Sequence, residues 1–226
     1  MCSETKKKQK PRFLARLEVG ETQKVVVFGT SLSFHFAPIL RGALRARYGE
    51  RVEVVNAGLP GKASRTALRE LDTKVLALRP DALLLEWAIN DAHSYFHEPD
   101  ALDAGISLEE SRANLEELIE RTKSALPACE IILWTTNPTF DTPASPMRGA
   151  WARPDLARFY EGVREVASAR GLSLLDGEKR WTSLRETNET QFHELVPDGV
   201  HPSPRAWREF FVPFALSEWE VLATTP

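Results

Sequence analysis

Near the carboxyl end, the run Asp198-Gly199-Val200-His201-Pro202 sets a carboxylate three residues before an imidazole on a loop. A carboxylate at that spacing can hold one ring nitrogen of the histidine while the other draws a proton from a hydroxyl, which turns a serine into a nucleophile. A serine suited to that partnership stands at Ser31, in Gly29-Thr30-Ser31-Leu32-Ser33, directly after the apolar run KVVVF. On a tight strand-to-helix turn its hydroxyl lies at a helix N-terminus, where backbone N–H groups favour developing negative charge. Serine also caps helices at such turns, and this segment taken alone fits both roles.

Two further segments carry donors. In Asn56-Ala57-Gly58 the glycine lets backbone approach a ligand closely and keeps an N–H to donate, although a plain turn glycine reads the same way. In Glu86-Trp87-Ala88-Ile89-Asn90-Asp91 the polar groups leave an apolar strand abruptly. Asn90 can offer an amide N–H, whereas Asp91 can serve as a cap or brace for the loop.

These segments share a position in the chain pattern. Apolar runs at 24–28, 52–55, 82–87, 131–135 and 172–175 alternate with stretches of helical spacing at about 31–48, 64–78, 107–126 and 154–170, and a last helix starts near Pro204. Ser107 with Glu110 predicts a capping box, Arg79-Pro80 closes one helix, and Gly171 stops another. Near-continuous apolar strands alternating with helices predict a parallel sheet covered on both faces. The expected fold is a three-layer α/β/α sandwich, flavodoxin-like, with a five-stranded parallel sheet in the order 2-1-3-4-5. In such sheets ligands sit beyond the carboxyl ends of the strands, where Ser31, Gly58 and Asn90 fall.

Composition limits the function classes. A content of 42% hydrophobic and 27% charged residues fits a globular protein rather than a disordered or membrane one. Lys6, Lys7, Lys8, Lys10 and Arg12 crowd the first twelve residues against Glu4; without that segment, 24 basic and 31 acidic side chains leave a net charge of −7. An acidic body argues against a nucleic-acid partner, whose phosphates call for basic surface. Residues 1–22 are expected as a flexible N-terminal extension and 23–226 as a single domain. Cys2 and Cys129 imply no disulfide framework. Without an apolar leader or an 18-residue apolar run, no membrane span is expected; the sequence as it stands reads as cytoplasmic, or as secreted or periplasmic if a leader has been removed.

GTSL, NAG, IND and DGVHP, at Ser31, Gly58, Asn90 and Asp198 with His201, together resemble the four blocks of the GDSL/SGNH hydrolases, in the family's order, over the stretch from about Lys24 to the final helix. That resemblance implies Ser31 as nucleophile, His201 as base and Asp198 as its orienting carboxylate. It implies an oxyanion hole made of the Ser31 and Gly58 N–H groups and the Asn90 side-chain amide. Two departures stand out: Thr30 replaces the family's usual aspartate before the serine, and Ile89-Asn90-Asp91 replaces Gly-Asn-Asp. The G-x-S-x-G elbow of the α/β-hydrolases is absent, since residue 33 is serine.

The implied chemistry is hydrolysis of a small carboxylic ester through an acyl-enzyme on Ser31, with no cofactor and no metal. His93 and His97 have i, i+4 spacing but lack a third ligand at metal-site spacing. EWAIND, an aromatic loop and then WTTNP are similar to a bacterial subgroup associated with carbohydrate acetyl esters, so a short acetyl ester, on a sugar, is the expected substrate. Long loops at 92–106 and 138–153 are expected to build the rim, with Trp87, Tyr95, Phe96, Asn137 and Trp151 as its candidate contacts. A lysophospholipase or thioesterase with a longer acyl pocket, or a noncatalytic carbohydrate-binding protein on the same fold, are the alternatives. The oligomeric state is left open by the sequence.

Overall fold

Each apolar run forms a strand, and the central strands are buried along both faces. The computed structural model describes residues 10–95 and 97–220. In chain order the elements are α1 (Arg12–Glu18), β1 (Gln23–Gly29), α2 (Ser31–Tyr48), β2 (Val52–Asn56), α3 (Ser64–Lys74), β3 (Ala82–Glu86) and the single turn α4 (Ala88–Asp91). There follow α5 (Leu108–Ala125), β4 (Glu130–Thr135), α6 (Leu156–Arg170), β5 (Ser173–Asp176), α7 (Gly177–Thr187) and α8 (Glu189–Leu195). The last helix runs from α9 (Pro204–Ala206) through a π turn at Trp207–Phe211 into α10 (Val212–Glu218).

The five strands pair in parallel in the order β2-β1-β3-β4-β5. The edge strands β2 and β5 are partly open and the middle three closed, which is why only the middle runs read as uninterrupted apolar sequence. Helices α3, α5 and α6 pack side by side, while α2 packs with the C-terminal helix. An aromatic cluster joins the latter pair to the sheet: Phe36 lies 4.6 Å from Trp134 between ring centroids, and Trp134 stacks on Phe211 at 5.6 Å.

Three features depart from the sequence expectation. Within the stretch expected as a flexible extension, 1–22, residues 12–18 form α1, with Phe13, Leu14 and Leu17 buried. The Glu130 carboxylate accepts from the N–H groups of Arg12 and Phe13, both at 2.9 Å, and so caps that helix from β4. Three apolar residues beside a lysine run give little periodic signal; the lysines at 6–8 lie outside the described residues. Helices α7 and α8 were not expected at all: α7 buries only Gly177 and Trp181, and α8 only Phe192 and Leu195, too few anchors for a visible stripe. The Ser107–Glu110 box is half made. Ser107 Oγ accepts from Glu110 N at 3.1 Å, but the Glu110 carboxylate is drawn to Arg65.

Candidate active site

Ser31 is the first residue of α2, held there by what precedes it. Thr30, in extended backbone, caps the helix by accepting Leu32 N at 3.2 Å on its hydroxyl. Ser31 Oγ lies 2.9 Å from His201 Nε2, and His201 Nδ1 lies 2.7 Å from Asp198 Oδ2. Asp198 Oδ1 accepts from the N–H groups of His201 (2.6 Å) and Val200 (2.9 Å), so one carboxylate fixes both the loop and the ring. Burial alone would raise the Asp198 pKa; the hydrogen bonds from His201 and Val200 hold it below the usual carboxylate range, as an anion. An anion there takes the Nδ1 proton and leaves Nε2 with a lone pair toward Ser31.

The histidine loop is stitched to the loop after β4. Asn137 Nδ2 donates to Val200 O at 2.9 Å, and Phe140 N donates to Gly199 O at 3.0 Å. Gly199 has φ of +80°, and a Cβ there would sit 1.9 Å from Phe140 O, so only glycine closes this junction.

A carboxylate not anticipated as part of the site supports the serine turn. Glu86, the last residue of β3, pairs in register with Gly29 at the end of β1. Its Oε2 accepts from Thr30 N (3.1 Å), Thr30 Oγ1 (2.7 Å) and Ser33 Oγ (3.2 Å). Burial, opposed by those bonds, pushes its carboxyl up to about 7. Thr30, where the family pattern has aspartate, thus finds its carboxylate on a neighbouring strand. The visible signal was a charge terminating the apolar run ALLLE.

The expected oxyanion donors converge on the same end of the sheet. Gly58 packs its backbone against the first turn of α2, where a Cβ would meet Phe34 N at 2.6 Å. Gly58 N donates to Asn56 Oδ1 at 3.1 Å, in a local turn. Asn90, in α4, donates from Nδ2 to Lys62 O at 2.8 Å, which fixes the amide while a second hydrogen remains on that nitrogen. Asp91 braces, as one of its two expected roles had it: its carboxylate accepts Ser64 N at 2.8 Å and Ser111 Oγ at 2.6 Å.

Two hollows flank His201. One, of about 450 Å³, is walled by Asn90, His93, Tyr95, Arg148 and Arg153 among others. The other, of about 590 Å³, is walled mainly by Phe34, Pro38, Ile39, Pro197 and Pro202. Of the expected rim residues, Tyr95 lines the first hollow, with left-handed backbone and its hydroxyl donating to Gly61 O at 3.2 Å. Phe96 lies outside the described residues. Trp87 is corrected: it is 4% exposed and packs edge-on against Phe28, 4.9 Å away, because the residue that joins β3 to α4 turns its side chain into the core. Asn137 is corrected as well, being fully buried as the brace under the histidine loop. Trp151 is half exposed on its loop and is not part of either wall. His93 and Arg148, which stand in the two loops expected to build the rim, line the wall of the first hollow, whereas Arg153 is a residue of that wall that the sequence did not single out. Among the described residues no cluster of three or more His, Cys, Asp or Glu is arranged for a metal, and no helix is long and apolar enough to cross a membrane.

With this geometry in hand, similarity to known proteins takes on meaning. A sequence model of the GDSL-like Lipase/Acylhydrolase family matches residues 27–207. An acetylxylan esterase of Geobacillus stearothermophilus is 26% identical over 163 residues, 72% of this chain and 70% of that protein. The crystal structure of Axe2, an acetylxylan esterase from the same organism, superposes with a TM-score of 0.71 at 23% identity, covering 89% of this chain and 96% of that one. LAE5, an alpha/beta hydrolase enzyme from the metagenome of Lake Arreo, gives 0.72 at 24% identity, covering 90% and 98%. Structures of Axe2 include catalytic mutants at a serine, at an aspartate and at a histidine.

Proposed function

Because this chain belongs to the GDSL-like lipase/acylhydrolase family and is a carboxylic ester hydrolase, we propose that Ser31, His201 and Asp198 form its triad and that it removes acetyl groups from carbohydrate hydroxyls. The observation that carries this is the unbroken hydrogen-bonded chain from Ser31 Oγ through the imidazole to the Asp198 carboxylate. Ser31 Oγ attacks the ester carbonyl as its proton passes to His201 Nε2, and the imidazolium is stabilised by Asp198. The negative oxygen of the tetrahedral intermediate is received by the Ser31 N–H and the remaining hydrogen of the Asn90 amide, joined by the Gly58 N–H once it exchanges Asn56 Oδ1 for the substrate oxygen. The imidazolium then protonates the departing sugar oxygen. Water, activated by the same neutral ring, hydrolyses the acetyl-enzyme.

The acetyl preference draws on the acetylxylan esterase relative. Hydrolysis of p-nitrophenyl acetate and of an acetylated xylo-oligosaccharide by the wild type, with both lost in Ser31→Ala and His201→Ala, is the expected result. Full activity in a folded Ser31→Ala protein refutes the assignment. The apolar hollow beside His201 favours a second reading, an acylhydrolase for longer chains. A p-nitrophenyl ester series from acetate to octanoate separates the two, a fall in kcat/KM with length supporting the acetyl esterase.

A further inference from the structure

The polar hollow holds a buried cation that has no ion-pair partner among the described residues, with Asp198 and Glu86 acting on it only from beyond contact. Arg153 is 7% exposed, yet no carboxylate lies within ion-pair distance of it among the described residues. Its guanidinium is pinned by two backbone carbonyls: Nε donates to Ile89 O at 2.8 Å and Nη1 to Arg148 O at 2.6 Å. Nη2 makes no such bond among the described residues, and the side chain lines the hollow that Asn90 and His201 also line. Carbonyls fix the plane of a guanidinium but do not neutralise it, and a buried charge lacking an opposite charge is costly. Burial accordingly lowers its pKa to about 10.

Two other residues of that wall bear on the charge balance. Arg148 lines the hollow and also lacks an ion pair among the described residues. His93 Nδ1 accepts Tyr95 N at 2.8 Å, and burial lowers its pKa to about 4. At neutral pH that ring is uncharged with its hydrogen on Nε2, another donor. The acidic groups lining the hollow are Asp198, committed to His201, and Glu98, exposed and not paired with either arginine.

We infer that this hollow is an anion subsite and that the physiological ester carries a carboxylate, as an acetylated uronic acid does, read by the planar fork of Arg153 with Arg148 at its side. The inference rests on the esterase assignment and specifies its substrate class. A uronate carboxylate supplies the direct ionic contact that the carbonyls of Ile89 and Arg148 do not, which a neutral xylose or glucose hydroxyl cannot.

The test compares kcat/KM on a matched pair, an O-acetylated methyl glucuronoside and the corresponding O-acetylated methyl glucoside, which differ in carboxylate against hydroxymethyl. The wild type should favour the charged ester by about tenfold or more, equivalent to about 1.4 kcal/mol. Arg153→Gln should bring the ratio near one, Arg153→Lys should retain part of it, and Arg148→Gln should lower it less. Free glucuronate should also raise Tm and inhibit p-nitrophenyl acetate hydrolysis where glucose does neither, a binding readout that decides the matter even if both sugar esters turn over poorly or Arg153→Gln does not fold. A wild-type ratio at or below one, or glucuronate binding no better than glucose, overturns the subsite. Ser31-dependent turnover of p-nitrophenyl acetate alongside such a result would leave the esterase assignment standing.

Discussion

The two sides of the candidate triad are built in opposite ways. Ser31 stands on a turn whose supports are buried: Thr30 and Glu86 are both out of solvent, and the sheet's central strands lie directly below. His201 and Asp198 stand on a loop with side chains 39% and 46% exposed, kept in place by short-range bonds and by Asn137 beneath. The contrast suggests a division of labour. The attacking oxygen is fixed by the fold itself, while the base keeps the access to water it needs when the acyl-enzyme is hydrolysed.

Substitutions can break that comparison on either side. The largest expected effect is Ser31→Ala or His201→Ala, each lowering kcat by roughly 10⁶-fold, since members of such a unit fail together rather than additively. Asp198→Asn should follow at about 10⁴-fold, because an amide no longer holds the ring in the tautomer that faces Ser31. If instead Asp198→Asn is nearly silent, the loop alone orients the base. Asn90→Ala should cost about 10²- to 10³-fold in kcat with little change in KM, the mark of a donor used in the transition state.

Smaller but more diagnostic is Glu86→Gln, which keeps the shape of the clamp under Ser31 and exchanges a carboxyl for an amide. A displaced nucleophile should lower kcat by up to about 10²-fold. The same variant carries a pH signature. The folded protein holds this proton with a pKa of about 7, above an unfolded glutamate's roughly 4.3, so it binds the proton more tightly than the unfolded chain does. The resulting stability is fully present below the unfolded value and is lost as pH climbs through about 7. Thermal melts should therefore find wild-type Tm falling relative to Glu86→Gln between pH 5 and pH 8; parallel curves would mean that Glu86 does not titrate there.

What the sequence disclosed follows the same division. Strand order was legible, because buried central strands write continuous apolar runs, and so was the meeting of Ser31 with His201 and Asp198. Glu86 was visible as a residue but not as a support, since its role depends on the register that sets it beside Gly29. Trp87 and Asn137 looked like rim residues for the complementary reason: adjacency to a strand end in sequence does not say which way a side chain turns. Arg153 was hidden furthest, because the lack of an ion-pair partner is a property of three-dimensional surroundings.

The most direct test is labelling with a fluorophosphonate followed by peptide mapping. A single adduct on Ser31, formed rapidly by the wild type and slowed by orders of magnitude in His201→Ala, is the predicted result. An adduct on another serine, or labelling of Ser31 that is indifferent to the loss of His201, would contradict the proposed pairing of hydroxyl and imidazole.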